Sequence, residues 1–98
     1  MTDISAITAE FFLPLQGQEI TCDTTLGPVT LVLESVKTHP QQDPAMRQGF
    51  SLTLRGPNDP LLPQSTYALS HDSFDNLPLF LSPFFQDDEG VSYEIIFN

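Results

Sequence analysis

Basic residues are nearly missing from this chain: 3 of 98, against 13 acidic ones, for a formal net charge of −10. A nucleic-acid ligand needs Lys and Arg to neutralise its phosphates, and Lys37, Arg47 and Arg55 cannot form a basic stripe. The same shortage excludes electrostatic docking on an anionic membrane. Cysteine occurs once, at Cys22, so no intrachain disulfide can form. A secreted domain of this size commonly needs such staples, and the single thiol therefore points to a reducing compartment. The N-terminus places Asp3 early and offers neither a basic n-region nor an apolar h-region, unlike a secretory signal. Long hydrophobic runs are lacking too: the stretch 77–85 is half a membrane span and carries Pro78 and Pro83. These absences predict a soluble, cytoplasmic protein.

What is present is apolar material in short pieces. Leu, Ile, Val and Phe number 30, about 31% of the chain, above the ~20% below which charged chains stay disordered. Residues 1–98 are read as a single domain, with 1–15 a helical plug and 18–98 a β core. In the plug, Ile4, Ile7 and Phe11 share one helical face. Asp3 is a candidate N-cap, Thr8 an alternative cap for a shorter turn over 9–13, and Pro14 is expected to stop the helix at Leu13. The cluster Phe11, Phe12, Leu13 and Leu15 is expected to be buried over one end of the core.

From Gln18 the period becomes two. Ile20 and Cys22 alternate with polar neighbours, and so do Val29, Leu31 and Leu33. Val32 and Val36 break that phase, which predicts either a bulge near Glu34-Ser35 or a strand covered on both sides. His39 to Gln48 has no periodicity and reads as an exposed loop. Phe50, Leu52 and Leu54 give the cleanest strand, followed by the turn cluster 56–60 and by strands over 66–71, 79–85 and 91–97. A five-residue loop, 86–90, is expected to join the last two, with Gly90 supplying left-handed backbone. The fold class is all-β: a small antiparallel sandwich or barrel of five to seven strands with a short N-terminal helix.

The strings Phe50-Ser51-Leu52-Thr53-Leu54-Arg55-Gly56-Pro57, Gln64-Ser65-Thr66-Tyr67 with His71, and Tyr93-Glu94-Ile95-Ile96-Phe97-Asn98 resemble a family of small uncharacterised bacterial domains. The helix-then-Gly17 opening is similar, so the likeness covers most of the chain. Departures lie at Ser65, where that family has Gly, and at Phe74-Asp75, where it has Leu-Gly. The resemblance transfers no catalytic motif. Genes of the group lie near phage-tail-like collar or fibre proteins, which implies an assembly or interaction role.

Candidate chemistry is thin. His71-Asp72-Ser73 with Asp75 has the residue types of a hydrolytic triad, yet neighbours on a strand point to opposite faces and a triad must converge. A turn held by Asp or Ser side chains is the simpler reading. Cys22 has no basic residue within ten positions to activate it and reads as a packing residue. Asp87-Asp88-Glu89 is too short a frame for a Ca²⁺ loop, and His39 and His71 lie too far apart for a transition metal. No catalytic residue, no metal and no cofactor is expected.

The anomaly is Leu79-Phe80-Leu81-Ser82-Pro83-Phe84-Phe85. With Leu79, Leu81 and Phe85 facing the core, Phe80 and Phe84 face away, and the neighbouring strand adds Ile96 to that outer face. Either the N-terminal helix covers this face, or it is an aromatic contact for another protein, rimmed by Asp87, Asp88 and Glu89. The function expected is a non-enzymatic, acidic protein-interaction or assembly module, monomeric or in a hetero-complex. The alternative is a small-molecule-binding barrel or cryptic enzyme with a site near Tyr67 and His71.

Overall fold

The structure, a computed structural model, describes residues 7–39 and 49–97. Six antiparallel strands close into a barrel: β1 (Glu19–Thr24), β2 (Gly27–Thr38), β3 (Phe50–Gly56), β4 (Ser65–His71), β5 (Phe74–Asp87) and β6 (Gly90–Phe97). Their order around the barrel is β1-β2-β3-β6-β5-β4. The choice between sandwich and barrel is thus settled in favour of the barrel. Closure pairs every strand on both sides over at least part of its length, which leaves far less open edge than a short sandwich would.

Alternation drives the core. Ile20, Cys22, Leu31, Leu33, Leu52, Leu54, Leu69, Leu79, Leu81, Tyr93 and Ile95 are all buried and fill the interior. Gly56 makes room for this packing: a Cβ there would stand 2.5 Å from Leu31 Cδ2. Tyr93 carries the one hydroxyl among these residues, and it accepts the backbone N–H of Leu62 at 3.0 Å, so burial leaves it satisfied. Leu62, itself buried, closes that end of the barrel.

Three strand pairings carry register shifts, and two of them decide which of the side chains singled out in the sequence face in. Leu33 pairs with Leu54 and Ser35 with Thr53, leaving Glu34 as the extra residue. The phase flips there, and Val36 packs against the core, as the bulge expectation requires. On β5, Pro83 pairs with Tyr93 and Phe85 with Ser92, leaving Phe84 extra. This bulge overturns the expected inward Phe85: the ring is 54% exposed. Phe84 and Phe85 both oppose Ser92, an outward residue, so two successive rings leave the barrel on the same side.

The opposite end carries the plug. α1 spans Ala9–Phe12, entered from an extended Thr8 that makes no side-chain cap bond. The α-helix ends with Leu13 as its C-cap, as expected from Pro14. Pro14 itself sits in a 3₁₀ turn over Leu13–Leu15, where a proline in the first turn forfeits no helical hydrogen bond. The reading with Asp3 as cap lies outside the described residues. Phe12 is fully buried, with ring centroids 6.1 Å from Phe50, 5.7 Å from Phe97 and 6.2 Å from Phe74. Leu13, expected inside, is 49% exposed because the tight turn points it outward. Backbone bonds Gly17 N–H to Leu33 O (2.7 Å) and Leu33 N–H to Gln18 O (3.0 Å) stitch the plug to β2.

The connection over 40–48 lies outside the described residues. The β5–β6 link is tighter than expected. Asp87 pairs directly with Gly90, so only Asp88 and Glu89 form the turn, and Gly90 takes φ +145°.

Candidate functional site

The register lays out the outer face as rows. Val32 neighbours Arg55, Arg55 neighbours Ser92, and Ser92 neighbours Phe85 with the bulged Phe84 beside it. The next row runs Ser35, Thr53, Glu94, Ser82; the third runs Lys37, Ser51, Ile96. Phe80 lies two residues before Ser82 on β5 and shares its outward phase. Phe80 (51% exposed), Phe84 (57%) and Ile96 (56%) all stand on the outer face, joined by Phe85. Ser82 and Glu94 separate the Phe84–Phe85 lobe from Phe80 and Ile96. Among the described residues, α1 does not cover this face: its rings pack on Phe50, Phe74 and Phe97 at the barrel end.

β4 begins opposite Leu81, so among the described residues Ser82–Asp87 has no strand on that side. Pro83 has no N–H to donate there, and the bulge at Phe84 breaks the regular spacing of backbone groups. Both features blunt this stretch of edge against strand addition.

The acidic tip is partly committed to holding itself together. Asp87 Oδ1 accepts the Glu89 N–H at 2.9 Å, and Arg55 Nη1 donates to Glu89 Oε2 at 3.1 Å. Arg55 Nε also stands 3.3 Å from Glu34 Oε2, an ion pair whose N–H misses hydrogen-bond alignment. Glu34 first, with Glu89 and Asp87 adding, holds the Arg55 guanidinium above its ordinary range. Arg55 is therefore occupied within the domain, while among the described residues Asp87 and Asp88 make no direct ion pair and stand as charge beside the Phe84 lobe.

Tyr67 and His71 do not form one site. His71 ends β4, four residues and about 13 Å beyond Tyr67. Nδ1 of His71 accepts the Ser73 N–H at 3.0 Å, which puts the ring proton on Nε2, 2.8 Å from Gln18 Oε1. Gln18 Nε2 in turn donates to Pro14 O at 3.2 Å, tying the β4–β5 turn to the plug. Both ring nitrogens are engaged, and Asp75 Oδ1 receives the Ser70 hydroxyl at 3.4 Å. The turn reading holds, although the histidine rather than Asp72 or Ser73 supplies its side-chain bond.

Tyr67 belongs instead to a cavity of about 510 Å³ at the end remote from the plug. Asp23, Thr24, Thr25 and Leu26 of the β1–β2 turn form one wall, and Leu61, Leu62, Pro63, Ser65 and Thr66 form the other. Tyr67 closes it, its hydroxyl donating to Pro63 O at 2.6 Å. The sequence pointed to Tyr67 as part of a candidate barrel site, but the two segments that form the walls lie some forty positions apart in the chain, and nothing in their local pattern marks them.

Cys22 is fully buried inside the barrel. Burial first, and the neighbouring Asp23 second, push its thiol up from 9.0 to about 11. Only the thiolate alkylates, so the folded chain is expected to resist iodoacetamide at pH 8 while the urea-unfolded chain reacts readily. The raised thiol also makes folding sensitive to alkali. Its contribution to stability is complete below pH 9 and is lost as pH rises from 9 to about 11. Rapid labelling of the native protein at pH 8 would contradict this burial.

Among the described residues, no three His, Cys, Asp or Glu side chains converge as a metal ion requires, and no helix is long and apolar enough to cross a membrane. In comparison with known proteins, residues 7–97 match a family model described as a domain of unknown function, DUF6916. No curated protein and no solved structure matches the chain.

Proposed function

The chain belongs to the DUF6916 family, a domain of unknown function, and from that premise we propose that it is a non-enzymatic protein-interaction module that docks a partner on the outer face of β5 and β6. The observation that carries the reading is four large apolar side chains, Phe80, Phe84, Phe85 and Ile96, each more than half exposed on one face. Aromatic side chains left in water on a rigid scaffold, beside carboxylates, have the composition of an interface centre with a polar rim. Asp87 and Asp88 steer the encounter, so association speeds up at low salt. A net charge of −10 opposes close contact between copies, which favours a different protein as the partner. The resemblance of the sequence to domains encoded near phage-tail-like collar or fibre proteins suggests the partner's setting. A second reading, small-molecule binding at the barrel mouth, draws on the cavity at Tyr67.

Phe84→Glu separates binding from folding. The ring is exposed, so the unfolding free energy is expected to change by no more than about 0.5 kcal/mol in urea titration. A photoreactive residue at position 84, in the native cells, is expected to yield a discrete covalent adduct. The same residue at exposed Thr30, on β2, is expected to yield none. No adduct at 84, or equal adducts at both positions, overturns the reading. Unfolding by Phe84→Glu would show the face to be core.

A further inference from the structure

We infer that the cavity at the end of the barrel remote from the plug is the anchor pocket of this interaction face, and that it takes an apolar side chain borne on a basic segment of the partner protein. The inference rests on the interaction reading above and names the chemistry of the partner.

Position is the first support. Thr66 lines the cavity and is the direct cross-strand partner of Phe80. Residues directly opposite on antiparallel strands project to the same face. The cavity wall therefore runs into the aromatic face across a single strand pairing. A segment lying over Phe80 can drop a side chain past Thr66 without leaving the surface.

The lining is the second. Leu26, 77% exposed, and Leu61 stand as apolar lips, while the Tyr67 ring forms the wall and the buried Leu62 the floor. Tyr67 spends its hydroxyl proton on Pro63 O, so it offers a guest its ring and an acceptor oxygen. At about 510 Å³ the cavity has the size of a small-molecule site and more than enough room for one apolar side chain. Interfaces concentrate their energy in such anchors.

Charge is the third, and it selects the partner. Asp23 is the single ionisable acid of the lining, no Lys or Arg joins it, and among the described residues it makes no ion pair. A carboxylate at the lip rejects an acidic guest and favours Lys or Arg beside the anchor. A second copy of this chain is poorly supplied with such residues. Of its three bases, Arg55 is already held by Glu34 and Glu89.

The test uses the isotope-labelled full chain and two capped pentapeptides, Gly-Lys-Phe-Lys-Gly and Gly-Glu-Phe-Glu-Gly, followed by amide chemical shifts. The basic peptide is expected to move the resonances of 23–26 and 61–67, with saturation approached at about 5 mM for an isolated anchor. The acidic peptide is expected to bind at least about fivefold more weakly. Asp23→Asn is expected to bring the basic peptide's affinity down by about the same factor. The inference is overturned by no movement at those residues, by equal affinity for both peptides, or by indifference to Asp23→Asn. It is also overturned if phenylethanol binds the cavity as tightly as the basic peptide, the outcome of a small-molecule site. Failure of this titration with cross-linking at position 84 intact removes the anchor pocket and leaves the interaction face standing. Loss of that cross-link removes the face itself.

Discussion

Phe12→Ala is expected to lower the unfolding free energy by about 3–5 kcal/mol. The ring is fully buried and meets Phe50, Phe74 and Phe97 at centroid distances of 5.7–6.2 Å, so truncation opens a void that three strands surround. Phe11 stands edge-on to it at 5.1 Å but is only partly buried and is anchored on Phe74, so it cannot swing in to fill the space. Domains of this size are stable by about 5–15 kcal/mol in total, and each kcal/mol moves the melting temperature by roughly 4–8 °C. The variant should therefore melt at least about 12 °C lower, measured by circular dichroism, with Phe12→Leu losing less. A loss under about 1 kcal/mol would mean that the plug covers the barrel end without stabilising it.

Gly90→Ala is expected to cost about 2–4 kcal/mol from two sources that add. The backbone there has φ +145°, a conformation that residues with a Cβ rarely adopt. In addition, a Cβ at position 90 would fall on the carbonyl oxygen of Gly56, a backbone atom held in the β3–β6 ladder that cannot step aside. Gly27→Ala is the control. It shares a positive φ, +107°, but a Cβ there meets nothing within 4 Å. The difference between the two variants in urea titration isolates the overlap. Equal losses would show that backbone strain alone accounts for both.

The strands themselves were readable in the sequence. Ile20 and Cys22, or Phe50, Leu52 and Leu54, alternate with polar residues because one face of each strand is wet, and period two survives in the composition. The outward Phe80, Phe84 and Ile96 were readable for the same reason, as apolar residues standing on the wrong phase of an alternating strand. Phe85 was not. A bulge inserts one residue and flips the phase of those that follow, and Pro83-Phe84-Phe85 carries no local mark of where the insertion falls. Leu13 was misplaced because Pro14 is as acceptable in the first turn of a 3₁₀ helix as after the end of an α-helix. Val36 was read correctly in outline, since its out-of-phase position beyond Glu34-Ser35 demanded either a bulge or a second covering layer.

Composition and periodicity by themselves determined an all-β domain with a helical plug, an acidic surface short of bases, and an aromatic anomaly at 80–85, because each of these is a local property of consecutive residues. The tertiary structure alone decided that the sheet closes, that β5 leaves β4 for β6 at Leu81–Ser82, and that Tyr67 and His71 face different ends of the barrel. It alone brought 23–26 against 61–67 to make a cavity next to Phe80. Register and closure come from pairing between distant segments, where shifting a strand by one residue exchanges its buried and exposed faces. No single segment contains that information, and the fold acquires it only when all six strands satisfy their neighbours at once.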